Sequence, residues 1–467
     1  MRASIAVAIV VVAFAAIACS DPERALVAPS NSPAALAAGA RWPHAAASGA
    51  LRAVRAANEQ SVAAAPALLP PGAPLPPFVE ARLYAITAIA VHDALNAIVP
   101  RYERYADDGP IDAGASAEAA ALTAARDAIV GAAPASTAAT DAWYARAMAS
   151  VPDAGIPDGI AIGRRAAAAI LARRATDGVA TGGVAPYTQL TGPGDYRFTA
   201  PFDAPPFTFI FPGTGGFADA AVWGTTVTPF VVASASQFRA PRPYGAPSGA
   251  AAVLTPAYAA DFAEISTLGC AACAARTADQ TEAALFWMEN SPTGWNRIAR
   301  TLADRRNLDA IETARLFAQL QMAEFDAYTT SLESKYHYGF WRPVSAVALA
   351  DTDGNPATST IAGWQVLAFP TPPVPDYPSA HATAGGAAAV IMETMMPGRV
   401  PFSTTSGSLA GVTRAFASVA DAARENADSR VFIGYHFRHA TDIGLAQGRA
   451  VGEYVATNTL RPLRGPR

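Results

Sequence analysis

Three short segments in the last third of the chain gather the residue types that could bind and transform an oxyanion. They are Lys335-Tyr-His-Tyr-Gly-Phe-Trp-Arg342-Pro343, Tyr377-Pro-Ser379-Ala380-His381-Ala382 and Ser429-Arg430-Val-Phe-Ile-Gly-Tyr-His436. Lys335, Arg342 and Arg430 bring positive charge, and Ser379 brings a hydroxyl. Ala380 begins a helix, so its N–H is a free donor at the positive end of the helix dipole. Such a set would hold a tetrahedral oxyanion of high negative charge. His381 and His436 would flank it, one attacking or coordinating the central atom and the other moving a proton. Lys335 is the single lysine among 34 Lys plus Arg residues. A position that keeps lysine in so arginine-rich a chain calls for a compact ammonium rather than a planar fork, chance being the plain alternative.

The elements that must position these residues read as helices. Ala dominates the apolar fraction and charged residues are only 15% of the 467, a composition that favours packed helices over an all-β fold. Apolar periodicity predicts helices over Phe78–Ile98, Ser116–Ala133, Thr137–Ser150, Gly159–Arg174, Pro256–Leu268, Ala278–Glu289, Trp295–Ala303 and Leu308–Ser334. It predicts three more over His381–Met395, Leu409–Ala427 and Phe437–Thr457. Gly182 to about Leu254 is rich in Pro, Gly, Phe and Thr, and reads as an ordered irregular wrap. The fold class is therefore all-α with a long irregular Pro/Gly-rich segment.

Residues 1–19 read as an export signal: Arg2, the apolar run Ile5–Ile17, then Ala16-Ile17-Ala18-Cys19 as a relaxed lipoprotein box with Cys19 lipidated. Ordinary cleavage that removes Cys19 is the alternative. Residues 20–75, rich in Ala, Pro and Ser, read as a flexible tether; 76–460 as one helical domain with its oxyanion core in 330–445; and 461–467 as a tail. The expected location is extracytoplasmic: periplasmic and membrane-anchored, or secreted. In that setting Cys270-Ala-Ala-Cys273 reads first as a disulfide, with a redox dithiol as the sharper alternative. The formal charge of -4, with no basic run, excludes nucleic acid as a partner.

The spacing Lys335-x6-Arg342-Pro343, then Pro378-Ser-x-His381, then Ser429-Arg430-x5-His436 resembles the three-part signature of the vanadium-dependent haloperoxidase and type 2 phosphatidic acid phosphatase superfamily. The run Phe369-Pro-Thr-Pro-Pro-Val-Pro-Asp-Tyr-Pro-Ser-Ala-His-Ala-Thr383 is similar to the loop and helix start of vanadium chloroperoxidases. Ala90-Val-His-Asp-Ala-Leu-Asn96 and Ala323-Glu-Phe-Asp-Ala327 are similar to their bacterial relatives. The resemblance implies helical bundles around one pocket, spanning roughly residues 75–460. It also implies roles. Lys335, Arg342, Arg430, Ser379 and the Ala380 N–H would bind vanadate or phosphate. His381 would be the acid–base residue, and His436 the axial vanadium ligand or the nucleophile toward phosphorus. Lys335 would then also be catalytic, polarising a bound peroxide oxygen.

The activity implied is an enzyme of one of two kinds. The first is a vanadate-dependent haloperoxidase acting on hydrogen peroxide and halide. The alternative is a secreted acid phosphatase that needs no cofactor, hydrolysing phosphate esters through a phosphohistidine. A non-catalytic oxyanion-binding surface lipoprotein is the third reading. The family often has Gly at the position of Ala380, and many members carry Asp four residues after the axial histidine, where this chain has Ala440. Asp442 is the nearest acid, rotated by roughly 200° around a helix, so a backbone carbonyl is expected to orient the His436 ring. His337 lines the entrance or is structural. His439 is a supporting or surface residue, or else pairs with His436 on a metal. His92, Asp93 and Asn96 read as a buried polar cluster. Tyr336, Tyr338, Phe340 and Trp341 read as loop packing or as a wall for halide or substrate.

Overall fold

The computed structural model describes residues 44–72, 74–152, 154–179, 189–203 and 220–463. The first five helices are α1 (His44–Ala64), α2 (Pro77–Asn96), α3 (Ala117–Ala132), α4 (Thr137–Met148) and α5 (Ile156–Arg174). Two short ones, α6 (Ala220–Thr225) and α7 (Gly249–Ala252), punctuate the irregular wrap, followed by α8 (Pro256–Leu268), α9 (Ala278–Phe286) and α10 (Ser291–Arg305). The site-bearing part comprises α11 (Ala310–Tyr338), α12 (Pro343–Leu349), α13 (Ala380–Met395), α14 (Val419–Phe432) and α15 (Arg438–Asn458). An antiparallel hairpin of β1 (Phe402–Thr405) and β2 (Thr413–Phe416) pairs Phe402 with Phe416. The fold is mostly helical.

Local chemistry explains the main boundaries. Asp309 and Glu312 form a reciprocal capping box that starts α11. Gly339, in the left-handed conformation, ends it. Thr255 caps α8, whose first residue is Pro256. Ser379 caps α13. On α15, Gly444, Gly448 and Gly452 recur every fourth residue and face the backbone of α13. A Cβ on Gly448 would meet Thr383 O at 1.9 Å, and one on Gly444 would meet Ser379 O at 2.6 Å. Only glycine lets the two helices approach this closely, and the approach fixes the N-terminus of α13 against α15.

Of three apolar clusters among the described residues, two bear on the site. The larger runs through α2, α3, α11 and α13, with Leu320, Phe325, Ala387 and Ile391 fully buried. The smaller gathers Tyr258, Phe340, Trp341, Tyr377, Tyr435 and Phe437. Tyr336 packs against the first cluster and Trp341 belongs to the second, so the segment from Lys335 to Arg342 runs along their seam.

Several expectations change here. The tether assigned to residues 20–75 contains α1, which buries Ala50, Ala53, Val54 and Ala57 against the core. That stripe has helical spacing, but alanines at every position blur the contrast between its faces. Residues 461–463 are not a free tail: Pro462 bridges Tyr102, and Arg461 pairs with Glu103. The helix expected over Leu409–Ala427 divides into β2 and α14, with Ser418 capping α14. Lys335 and His337 lie in the last turn of α11 rather than in a loop. Residues 1–19, with Cys19, lie outside the described residues.

Candidate active site

The site is organised by a proline-rich strap, residues 369–378, that the end of α11 and the start of α12 grip through Lys335 and Arg342. Prolines donate no hydrogen bond, so the strap's carbonyls are free to face cations. Lys335 Nζ, at the end of α11, donates to Pro375 O at 2.6 Å and to Asp376 O at 2.9 Å. An ammonium has three donors, so one remains for a ligand. Arg342, at the start of α12, donates from Nε to Val374 O at 2.7 Å and from Nη1 to Tyr435 O at 2.9 Å. Arg430, in the last turn of α14, donates to Trp287 O at 2.5 Å and lies over the Tyr435 ring. All three cations are buried. Burial and the Arg342 charge push the Lys335 ammonium well below its ordinary value. Burial pulls Arg430 down to about 10.

His436 sits in the turn between α14 and α15. Its Nε2 receives Arg342 Nη1 at 2.9 Å, and its Nδ1 stands 2.9 Å from Asp376 Oδ1. Set between the Asp376 carboxyl and the Arg342 donor, a neutral ring would best carry its proton on Nδ1 and its lone pair on Nε2. Burial, then the charges of Arg342, Lys335 and Arg430, hold the His436 ring well below its ordinary value, so it is neutral. His381, half-buried in the first turn of α13, has Nε2 3.3 Å from Glu289 O. Burial and Arg430 push it down to about 3, with Arg342 and Lys335 adding to the effect. The same cations thus act on both imidazoles. Ser379 is fully buried, and its N–H donates to Ala440 O at 2.9 Å, while Ala380 opens α13.

Asp376 is the residue that spacing did not disclose. Asp442, as expected, does not support His436: it pairs with Arg424 at 2.6 Å on the surface, and the backbone carbonyl at Ala440 holds Ser379. The ring is instead met by a carboxyl group from the strap. Burial pushes Asp376 up to about 7, against the pull of Arg342 and Lys335. The signal available in the sequence was an acid set among prolines, directly before Tyr377-Pro378-Ser379.

The remaining candidates take quieter places. His337 is exposed at the end of α11. His439 stacks between Tyr244 and Tyr377, and its Nε2 accepts the Tyr244 N–H at 3.0 Å. His92, Asp93 and Asn96 form a fully buried network, with Asp93 receiving the N–H groups of Tyr105, Ala106 and Asp107. Asp326 likewise gathers the N–H groups of Phe230, Val231 and Val232. Phe340 and Trp341 are buried packing groups. Cys270 and Cys273 are joined by a disulfide.

Residues 315–465 match the family described as the VCPO second helical-bundle domain. Vanadium chloroperoxidase of Curvularia inaequalis is 33% identical over 146 residues, a match covering 26% of this chain and 23% of that protein. The crystal structure of the first bacterial vanadium-dependent iodoperoxidase superposes with a TM-score of 0.67 at 21% identity, covering 90% of this chain and 97% of that one. Holo-type bacterial vanadium-dependent chloroperoxidase superposes with a TM-score of 0.64 at 17% identity, covering 84% and 94%. The chain has the vanadium haloperoxidase fold. Within that fold the strap, the three cations and both histidines all lie in or beside the matched second bundle, and Asp376 reaches His436 from the strap.

Proposed function

We propose that this chain is a vanadate-dependent haloperoxidase that oxidises halide with hydrogen peroxide. The observation that carries the reading is a buried imbalance of charge. Lys335, Arg342 and Arg430 are buried around His436, and Asp376 is the one acid whose charge reaches Lys335 and Arg342. Buried cations without matching anions are costly, so the pocket is built for a multiply charged anion.

The donor set fits vanadate. Lys335, Arg342 and Arg430 would hold its oxygens with the Ser379 hydroxyl and the Ala380 N–H, and His436 Nε2 would face the central atom once Arg342 Nη1, now 2.9 Å from it, turns to an oxygen. Bound vanadate supplies a Lewis acid that polarises peroxide toward halide without changing its own oxidation state. Asp376 keeps the His436 lone pair on Nε2 and the ring correctly turned. Neutral His381 is free to accept a proton from incoming peroxide. The remaining Lys335 N–H polarises the oxygen that halide attacks. Halide would then gain one peroxide oxygen, and the proton held by His381 with one more from solvent would leave the products as hypohalous acid and water.

The second reading is an acid phosphatase using the same residues, since phosphate shares vanadate's shape and charge. The Asp376–His436 contact favours it too, because a nucleophilic histidine needs the same support. The solved relatives bear the names of iodide and chloride peroxidases, which supports halogenation as the first reading. An oxidising compartment suits the Cys270–Cys273 disulfide and supports residues 1–19 as an export signal. The test is a paired assay on phosphate-free protein. Iodide, bromide and chloride oxidation is measured with and without orthovanadate, beside hydrolysis of a phosphate ester. Vanadate-dependent halide oxidation is expected. Hydrolysis inhibited by vanadate, with no halide oxidation, would establish the phosphatase instead.

A further inference from the structure

The turn that presents His436 is clamped from behind by the segment that carries the disulfide. Gly434 has φ 89°, and a Cβ there would meet Gly269 O at 2.4 Å. A Cβ on Gly269 would in turn meet Gly434 Cα at 2.8 Å. The two chains therefore cross backbone on backbone, two residues before His436. The Leu367 N–H is shared between Gly269 O at 3.2 Å and Ile433 O at 3.1 Å. Ala271 N–H donates to Gln365 O at 2.7 Å, and Cys270 bridges Val366. Arg276 Nη1 ties Leu268 O at 2.7 Å and Cys270 O at 2.5 Å to Phe432 O at 3.3 Å. Beyond the clamp, the Tyr435 hydroxyl donates to Ala368 O at 2.8 Å and its carbonyl accepts from Arg342. One braced knot thus contains the disulfide hairpin, the start of the strap and the axial turn.

We propose that the Cys270–Cys273 disulfide positions His436: by holding residues 268–273 in the shape that clamps Gly434, it sets the height and angle at which the imidazole meets the oxyanion. This rests on the reading of His436 as the group facing the oxyanion's central atom. Opening the S–S bond frees two residues of a four-residue turn whose carbonyls and N–H groups make the clamp. The imidazole then samples more positions, and a bond that needs one direction weakens. Simple electrostatic attraction by Lys335, Arg342 and Arg430 depends on direction far less. The disulfide is thus a positioning element, and its loss shows in vanadate, which takes an axial nitrogen, more than in phosphate.

The test uses the full chain with Cys270→Ser and Cys273→Ser together, and separately Arg276→Gln, which keeps the disulfide but cuts the tie to Phe432. Orthovanadate and inorganic phosphate affinities are measured by calorimetry, well below each variant's Tm. Ile170→Ala, a fully buried site on α5 remote from the strap, serves as the destabilised control. Vanadate affinity is expected to fall about 10-fold or more in both clamp variants, with phosphate affinity changing less and the control unchanged. Lower Tm with unchanged vanadate affinity would make the disulfide a stability staple only and overturn the proposal. An equal loss in the control would overturn it as well. If His436→Ala leaves vanadate affinity intact in the otherwise unaltered protein, the underlying reading of His436 has failed instead.

Discussion

Asp376 serves two partners at once: its carbonyl accepts from Lys335, and its carboxylate faces His436 Nδ1 at 2.9 Å. Asp376→Asn keeps the shape but gives the ring a weaker acceptor and removes the acid from among three cations. The lost charge favours any anion, whereas the weaker support of the ring counts only against a bond to His436, and for vanadate the second effect is the larger. Vanadate affinity should therefore drop roughly 10- to 100-fold, while phosphate affinity holds or rises, as calorimetry with both oxyanions would show. Lys335 has a related logic. Its ammonium is wedged between two strap carbonyls in a fully buried site, and a guanidinium there is larger and differently shaped. Lys335→Arg should cost about 1–3 kcal/mol in chemical denaturation through overpacking, and should weaken both oxyanions. The lysine, the arginines and the histidines were legible because their types and spacing are unusual together. Asp376 was not, because its partner lies sixty residues on, and only the folded strap brings the two together.

Elements position the site through their ends, and the contact of α13 with α15 sets the most exacting of these. Gly448→Ala would place a Cβ at 1.9 Å from Thr383 O, so α15 must shift. The variant should lose about 1–3 kcal/mol in urea denaturation, and oxyanion affinity should fall with it, because Ser379, Ala380 and His381 ride on the end of α13. Ala would otherwise favour the helix, so a gain in stability would refute the close approach. Helices with mixed apolar and polar faces were readable: Pro256–Leu268 begins and ends where periodicity and its Thr255 cap put it. α1 was hidden by its alanines. The hairpin of β1 and β2 was hidden because Gly407, Gly411 and alternating small residues sit within a stretch whose average apolarity also suits a helix.

Across the whole molecule, the buried acids away from the strap set the response to pH. Glu80, on α2, is buried with Asn290, Thr293 and Glu289 around it, and burial raises it from 4.5 to about 8. Glu324, fully buried on α11, is also raised by burial and meets Gln321 at 3.0 Å. A carboxyl raised on folding keeps its proton in the native state after the unfolded chain has lost it. The native state then binds more protons, and stability falls as pH rises from 4.5 to about 8. Glu80→Gln removes its own part of that loss. Its denaturation midpoint should fall less steeply across this window than the parent's, the remaining slope belonging to Glu324 and the other buried titratable groups. A Glu80→Gln protein whose midpoint falls as steeply as the parent's would contradict the burial argument. The all-α architecture was legible from composition and period. The seam between two apolar clusters, where the site lies, depends on long-range packing that no local window contains.

The central claim is that one vanadate, held by Lys335, Arg342, Arg430 and His436, makes this chain a haloperoxidase. The most direct measurement is a titration of phosphate-free protein with orthovanadate while iodide and bromide oxidation by peroxide is followed. Activity should rise from near zero, saturate at one vanadate per chain, and be absent in His436→Ala at the same vanadate concentration. Activity independent of vanadate, or equal in His436→Ala, would contradict the account.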